Sequence, residues 1–230
     1  IDDGDILVRT SKWGGNLAKF KIDVQKDENI EPEDFYEGNL AGILQRIGDR
    51  ARWGNMWFDS PNGAKFSSTI DASPAASLAT DLQNESCSGW TPLAESFYMA
   101  VQYFAQQEVE GGLPLGDIPN SNFNDDPYYD KATKQFVPCA KSFVILLTDG
   151  ASTRDSKVPG WLKDYDGDGD RTGCDEYNWG TSCDYDSRGT DFLDDIALYA
   201  RTNDLRPGAF DPKTKGTGLD GDQNVYLYTI

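Results

Sequence analysis

The chain has 230 residues, a net charge of −18 at pH 7 and no histidine. This length suits one domain with a substantial core, and the negative charge argues against nucleic acid and anionic membrane surfaces as partners, because both require a basic face. Without histidine there are no Ser-His or Cys-His nucleophile pairs and no imidazole zinc sites, so we expect a protein that is not an enzyme; a hydrolase that uses carboxylates alone is the alternative. No apolar run is long enough to span a membrane.

A β-rich segment, residues 1–37, is predicted at the start of the chain. Ile6–Thr10 is a short apolar strand candidate, and residues 19–24 alternate polar and apolar side chains, which is typical of a half-buried antiparallel strand. We expect these strands to pair. A helix over residues 40–51 follows, because its apolar residues recur at helical spacing: Leu40, Ile43, Leu44, Ile47 and Ala51.

Residues 53–58 and 65–70 predict two more strands, and the small residues of 72–79 predict a loop. Thr91 and Pro92 then introduce a second helix, since threonine is a favourable N-cap and proline a favourable first helical residue. The apolar stripe of this helix is formed by Leu93, Phe97, Ala100, Val101 and Phe104.

Residues 108–135 are rich in glycine, proline, asparagine and aspartate, which predicts a long surface loop. The unbroken apolar run 143–147 comes next, and such a run is typical of a strand buried on both faces in the middle of a parallel sheet. Asp149 and Gly150 follow it. Ligands bind at the carboxyl ends of strands in open α/β sheets, so Asp149 is a candidate binding residue; the alternative is a simple turn.

A third helix over about 190–201 and a final strand over 225–230 complete the chain. After the first strand pair, the order of helices and strands predicts an α/β fold, a doubly wound sheet with helices on both faces and long acidic insertions, one of them at 151–189. We expect a single domain over residues 1–230.

Within this insertion, residues 164–175 follow the spacing of a calcium-binding loop of EF-hand type, without the flanking helices. Oxygen ligands at alternating positions let a short loop surround a hard cation, and a glycine at the sixth position permits the sharp turn. The alternative is a solvated acidic run. The predicted Ca²⁺ ligands are Asp164, Asp166, Asp168, Asp170, Thr172 and Asp175.

The four cysteines include no C-x-x-C pair, and no histidine can complete a mixed zinc site, so two disulfides are the natural interpretation. Disulfides indicate a periplasmic or extracellular location. Cys174 and Cys183 are close in sequence and form the expected pair, which leaves Cys87 to pair with Cys139; four cysteines allow three connectivities.

Two phrases resemble the von Willebrand factor A domain: Gly89-Trp-Thr-Pro-Leu-Ala-Glu95 and Phe143-Val-Ile-Leu-Leu-Thr-Asp-Gly150. The resemblance implies a metal-ion-dependent adhesion site, in which a D-x-S-x-S loop, Thr91 and Asp149 hold Mg²⁺ and the ion binds a carboxylate of the ligand. The chain lacks D-x-S-x-S; residues 71–73 come close but follow the wrong strand.

By the family order, the missing loop and its strand would precede residue 1. Either the domain is incomplete at its N-terminus or the metal site is degenerate, with Thr91 as a helix cap and Asp149 as a turn residue. We also expect another segment to fill the middle of the sheet, since buried backbone groups need hydrogen-bond partners.

A longer succession of phrases runs in order through residues 126–129, 137–139, 164–169, 192–197, 202–207 and 223–229. Together these phrases are similar to the N-terminal region of the PilC/PilY family, the adhesins at type IV pilus tips. The resemblance implies a secreted protein, exported through the periplasm, that caps the pilus with minor pilins, promotes assembly and binds a host or abiotic surface. A C-terminal β-propeller follows this region in the family. The alternative is a purely structural scaffold at the pilus tip.

Overall fold

The computed structural model describes residues 6–10, 20–24, 44, 47–59, 62–71, 74–84, 89–110, 113–148, 152–169, 189–208 and 218–230. The chain divides into two compact units, one of Ile1–Trp53 with Ser73–Ser88 and the other of Gly54–Ala72 with Gly89–Ile230. Helices and small sheets are mixed, which agrees with a general α/β class. None of the described helices is long and apolar enough to cross a membrane.

The first unit contains the predicted antiparallel pair. Strand β1 (Ile6–Thr10) pairs with β2 (Phe20–Val24) in continuous register, so the sequence pattern located both strands correctly. A helix is predicted over residues 40–51, and in its described part Gly48–Arg50 form a 3-10 turn. Residues 40–43, 45 and 46 lie outside the described residues.

The loop predicted over 72–79 was wrong, because helix α1 (Ala75–Asn84) occupies most of this stretch. Alanine is the best helix former, and Ala75, Leu78 and Ala79 are buried at helical spacing along one stripe. The small side chains therefore mark a helix that packs closely and not an irregular segment.

In the second unit, β3 (Asn55–Phe58) and β4 (Ala64–Ser68) form an antiparallel hairpin. Both strands lie within the ranges that the sequence predicts, to within two residues. Gly63 in the connecting turn has a φ of +72°, and a Cβ there would lie 2.9 Å from Met99 Sδ. The positive φ and the close approach both favour glycine at this position.

Helix α2 (Leu93–Ala105) is buried along its whole length and on every side. The predicted apolar stripe is correct but covers only part of what the fold encloses, since the polar Glu95 and Gln102 are buried too. A helix surrounded in this way forms the centre of its core.

The region predicted as a surface loop, 108–135, is partly buried, so that prediction was wrong in its second half. It contains two short paired strands, β5 (Tyr129–Asp130) and β6 (Gln135–Phe136), the second ending just beyond it. Asp126 is buried because Arg206 Nη1 donates to its Oδ2 at 2.7 Å and to its Oδ1 at 2.8 Å. This ion pair between distant residues holds part of the 108–135 region against the core, although the composition of the region is typical of a loop.

Strand β7 (Ser142–Leu146) pairs in parallel with β8 (Val225–Thr229), and both strands were predicted. Burial alternates along β7: Ser142 and Leu146 are buried, whereas Phe143 is 51% exposed and Ile145 is 48% exposed. The prediction of a strand buried on both faces was therefore wrong. In the described part of the chain β7 pairs with β8 alone, and one face of this sheet is open to water.

Helix α3 (Leu193–Thr202) packs against both α2 and β8. The four residues predicted to face inward do so: Ile196 and Ala200 are buried, and Leu193 and Ala197 are partly buried against the core. The second unit thus surrounds α2 with α3 and small sheets.

Candidate functional site

The acidic loop brings three predicted calcium ligands together. Carboxylate oxygens of Asp164, Asp166 and Asp168 all lie within 4.8 Å of one another. The Asp168 N–H donates to Asp166 Oδ1 and the Gly169 N–H donates to Asp164 Oδ1, both at 3.0 Å. Gly167 and Gly169 have φ of +83° and +100°, which favour glycine. Acids at alternating positions therefore converge, an arrangement that suits a hard cation.

A buried aspartate that the sequence analysis missed holds this loop in place. Asp195 lies in the first turn of α3 and is fully buried. Its Oδ1 accepts hydrogen bonds from the backbone N–H groups of Tyr165, at 2.5 Å, and Asp166, at 2.9 Å. Burial raises the pKa of Asp195, and these two hydrogen bonds oppose that shift. These two bonds connect the backbone at the start of the loop to α3.

Seven predicted site residues lie outside the described residues: Cys87, Asp149, Asp170, Thr172, Cys174, Asp175 and Cys183. The fourth cysteine, Cys139, is exposed and forms no disulfide with another described residue. Each predicted disulfide involves at least one cysteine that the structure does not describe, so both pairings stay predictions.

The edge that carries Thr91 differs from the expected arrangement. Pro92 is the N-cap of α2 and provides no side-chain cap, so the predicted capping role of Thr91 was wrong. The Thr91 N–H instead donates to Thr153 Oγ1 at 2.8 Å, and the Thr153 N–H donates to Thr91 O at 3.0 Å. Thr91 therefore lies beside the chain that follows β7, in which Asp149 precedes Thr153 by four positions.

Asp155 caps the N-terminus of α2 from a distant part of the chain. Its carboxylate accepts hydrogen bonds from the backbone N–H groups of Ala94 and Glu95, both at 2.8 Å, and from the Ser152 hydroxyl. The Thr190 hydroxyl donates to the Asp155 carbonyl oxygen at 2.7 Å. Burial raises the pKa of Asp155, and the hydrogen bonds to its carboxylate oppose that shift. This acid satisfies N–H groups that a helix leaves unpaired in its first turn.

Glu95 is a second fully buried acid at the same helix end. Its Oε1 accepts the Lys157 N–H at 2.8 Å, and its buried Oε2 has no hydrogen-bond partner in the part of the chain that the structure describes. Burial raises the pKa of Glu95 from 4.5 to about 7; the hydrogen bond from Lys157 opposes this shift and the Asp155 charge adds to it. No local pattern identifies this pair of acids, because its members lie 60 residues apart in sequence.

The fold and these sites define a mixed α/β protein with a carboxylate-rich loop and a buried acid pair at a helix end. Comparison with known proteins gave no match to a family model, to a curated protein or to a solved structure. The function has to be inferred from the chain's own residues.

Proposed function

We propose that this chain is a non-enzymatic binding module of a type IV pilus tip protein, stabilised by a calcium ion in the 164–175 loop. The calcium part depends on one observation, the convergence of the carboxylates of Asp164, Asp166 and Asp168 within 4.8 Å. Carboxylates this close repel one another, and a divalent cation with oxygen ligands removes that repulsion.

Calcium takes six to eight oxygen ligands, so the three carboxylates require further donors. By spacing, these are the Asp170 carbonyl oxygen, the Thr172 oxygen and the Asp175 carboxylate. Calcium bound here would fix the start of the insertion and, through the backbone bonds to Asp195, connect it to α3. Mg²⁺ requires a near-ideal octahedral site and retains water, so we expect this loop to prefer calcium.

The PilC/PilY resemblance supports an extracellular location at the pilus tip, reached through the periplasm. The proposed partners are minor pilins, the remaining segments of the same protein and a ligand on a host or abiotic surface. In this proposal Thr91 and Asp149 contribute to a Mg²⁺ site that binds the surface ligand. The net charge of −18 agrees with partners other than nucleic acid.

A second candidate function is a pilus-tip scaffold whose adhesion site is degenerate. One observation favours it: the N-terminus of α2, beside Thr91, is already occupied by the carboxylate of Asp155. Both backbone polar groups of Thr91 are also used, in the pair of hydrogen bonds with Thr153. These hydrogen bonds hold the backbone of this edge together without a metal ion.

A calcium titration followed by thermal unfolding tests the calcium proposal. With free calcium at about 100 times its Kd, we expect a rise in Tm of about 5–10 °C over the sample in chelator, because calcium binds the folded state. Asp164→Asn should lose most of this rise while its Oδ1 can still accept the Gly169 N–H. Asp222→Asn, at an exposed position outside the loop, is the matched control. A parent Tm unchanged by calcium and chelator would contradict the proposal.

Adhesion measurements separate the adhesin from the scaffold. Thr91→Ala and Asp149→Ala are introduced into the full-length protein on piliated cells, and both surface binding and pilus number are measured. The adhesin predicts at least a tenfold loss of binding with pilus number unchanged, since only the metal site is removed. The scaffold predicts unchanged binding. Thr80→Ala, at an exposed position of α1, is the control for loss of a threonine hydroxyl.

A further inference from the structure

Residues 152–157, hereafter the 152–157 segment, form hydrogen bonds with the first turn of α2 and with Thr91, which precedes the helix. At its start, Thr153 exchanges two hydrogen bonds with Thr91. In its middle, Asp155 accepts from two N–H groups of the helix. At its end, the Lys157 N–H donates to Glu95 Oε1 at 2.8 Å. The segment reaches α2 through two carboxyl groups, and both are fully buried.

The two carboxyl groups are satisfied unequally. Both oxygens of Asp155 accept backbone N–H groups, and one of them also accepts the Ser152 hydroxyl. Glu95 Oε1 accepts the Lys157 N–H, and the Ser156 N–H adds a weaker backbone interaction; among the described residues its buried Oε2 has no hydrogen-bond partner. Hydrogen bonds to a carboxylate favour its charged form, and burial without them favours the neutral form. Of the two carboxyl groups, Glu95 therefore has the fewer hydrogen bonds that favour its charged form.

The charged groups that face Glu95 do not reverse this assignment. From the 152–157 segment, the Asp155 carboxylate opposes ionisation of Glu95 and the Lys157 ammonium favours it. From the turn that follows, Lys163 interacts with Glu95, and burial lowers the pKa of this lysine. Lys157 Nζ donates to Asn62 Oδ1 at 3.2 Å, so Glu95 does not hold it alone. The β3–β4 turn approaches Glu95 through Gly63, which brings no charge.

We propose that the Glu95 carboxyl group is a proton-dependent latch: its neutral form keeps the 152–157 segment on α2, and its ionisation loosens that contact. Ionised Glu95 would place a second negative charge beside Asp155 inside the core, where little water compensates for it. Because Thr91 contacts the same segment, the latch controls the geometry of the edge that the sequence predicts as the binding site. This inference goes beyond the proposed function and does not depend on calcium.

The direction of the pH dependence follows from linkage. The pKa of Glu95 is about 7 in the folded protein and 4.5 as the ordinary value, so the folded state binds more protons between these limits. Stability from this group is fully present below pH 4.5 and is lost as the pH rises through about 7. Ordinary ion-paired carboxylates behave in the opposite way, since their stability is lost as the pH falls.

Urea denaturation between pH 5.5 and 8.5, in chelator, tests the latch. We expect the unfolding equilibrium constant of the parent to rise by about 30-fold more than that of Glu95→Gln over this range. Glutamine has the shape of the neutral acid and keeps an oxygen for the Lys157 N–H. Glu108→Gln, at an exposed position, should follow the parent. Parallel pH profiles for the parent and Glu95→Gln would overturn the proposal.

Two measurements on the parent chain keep the test decisive if Glu95→Gln does not fold. A carbon NMR titration of the Glu95 side-chain carboxyl should give a midpoint near pH 7. Protection of the Lys157 amide against hydrogen exchange, corrected for the intrinsic rate, should fall across the same interval. A carboxyl midpoint below about 5, near the unperturbed value, would overturn the latch, as would constant protection of that amide.

Discussion

The loop at 164–169 and the N-terminus of α2 both bring carboxylates together, yet they differ in their access to water. In the loop, Asp166 and Asp168 are exposed and Asp164 is partly exposed. At the helix, Glu95 and Asp155 are both fully buried. Carboxylate groups this close together repel one another, and oxygen ligands suit a hard cation, so the loop favours a divalent cation. Buried acids lose hydration, and this loss raises the pKa of both Glu95 and Asp155.

A second contrast concerns the two aspartates that organise these regions. Asp155 lies outside a helix, and its carboxylate caps the N-terminus of α2. Asp195 lies within α3, and its carboxylate accepts hydrogen bonds from N–H groups of the loop. Asp155 uses both carboxylate oxygens; Asp195 uses one, and its buried Oδ2 has no hydrogen-bond partner in the described ranges, which omit residues 170–188. We therefore expect Asp155 to matter more for stability and Asp195 to matter more for the loop.

The largest predicted effect is that of Asp155→Ala. The substitution leaves the N–H groups of Ala94 and Glu95 and the hydroxyl of Ser152 without their acceptor in a buried position. Unsatisfied buried donors cost about 1–3 kcal/mol each, so the free energy of unfolding should fall by about 3 kcal/mol or more. Urea denaturation in chelator measures it.

Asp155→Asn is the matched variant, because asparagine keeps one acceptor oxygen and should lose about half as much free energy. Calcium should not restore either variant to the stability of the parent, since the cap lies outside the loop. A loss below about 0.5 kcal/mol for Asp155→Ala would mean that water or another residue replaces the cap, and the contrast with Asp195 would fail.

Local patterns in the sequence were sufficient for most helices and strands of the described chain. Alternation located β1 and β2, and the apolar runs located β7 and β8. Local patterns did not predict the structure where contacts between distant residues determine it. Asp126 is buried and pairs with Arg206, 80 residues away. The composition of the surrounding residues does not reveal this contact and therefore predicted a surface loop. The exposed face of β7 was missed because an apolar run does not reveal how many strands flank it.

The same division holds for the sites. Asp164, Asp166 and Asp168 were predicted because alternating acids and a glycine form a pattern within a few residues. Glu95 and Asp155 carry no such pattern, since burial and a contact across 60 residues give them their properties. The doubly wound sheet, the single domain and the adhesion site stay predictions, the last of them dependent on Asp149.

The smallest predicted effect, and the one that sharpens the contrast most, is that of Asp195→Asn on calcium affinity. Residues that hold ligands in place typically contribute at least tenfold to metal affinity, and asparagine accepts the N–H groups of Tyr165 and Asp166 less strongly than a carboxylate does. We expect the Kd for calcium to rise about tenfold, which corresponds to about 1.4 kcal/mol. Isothermal titration with calcium measures it, and Asp194→Asn, at the exposed neighbouring position, is the control for loss of charge.

If both variants weaken binding equally, Asp195 acts through its charge alone and not by holding the loop. If the parent itself binds no calcium, the loop proposal fails, while the cap at Asp155 and the latch at Glu95 are unaffected, because neither depends on the ion.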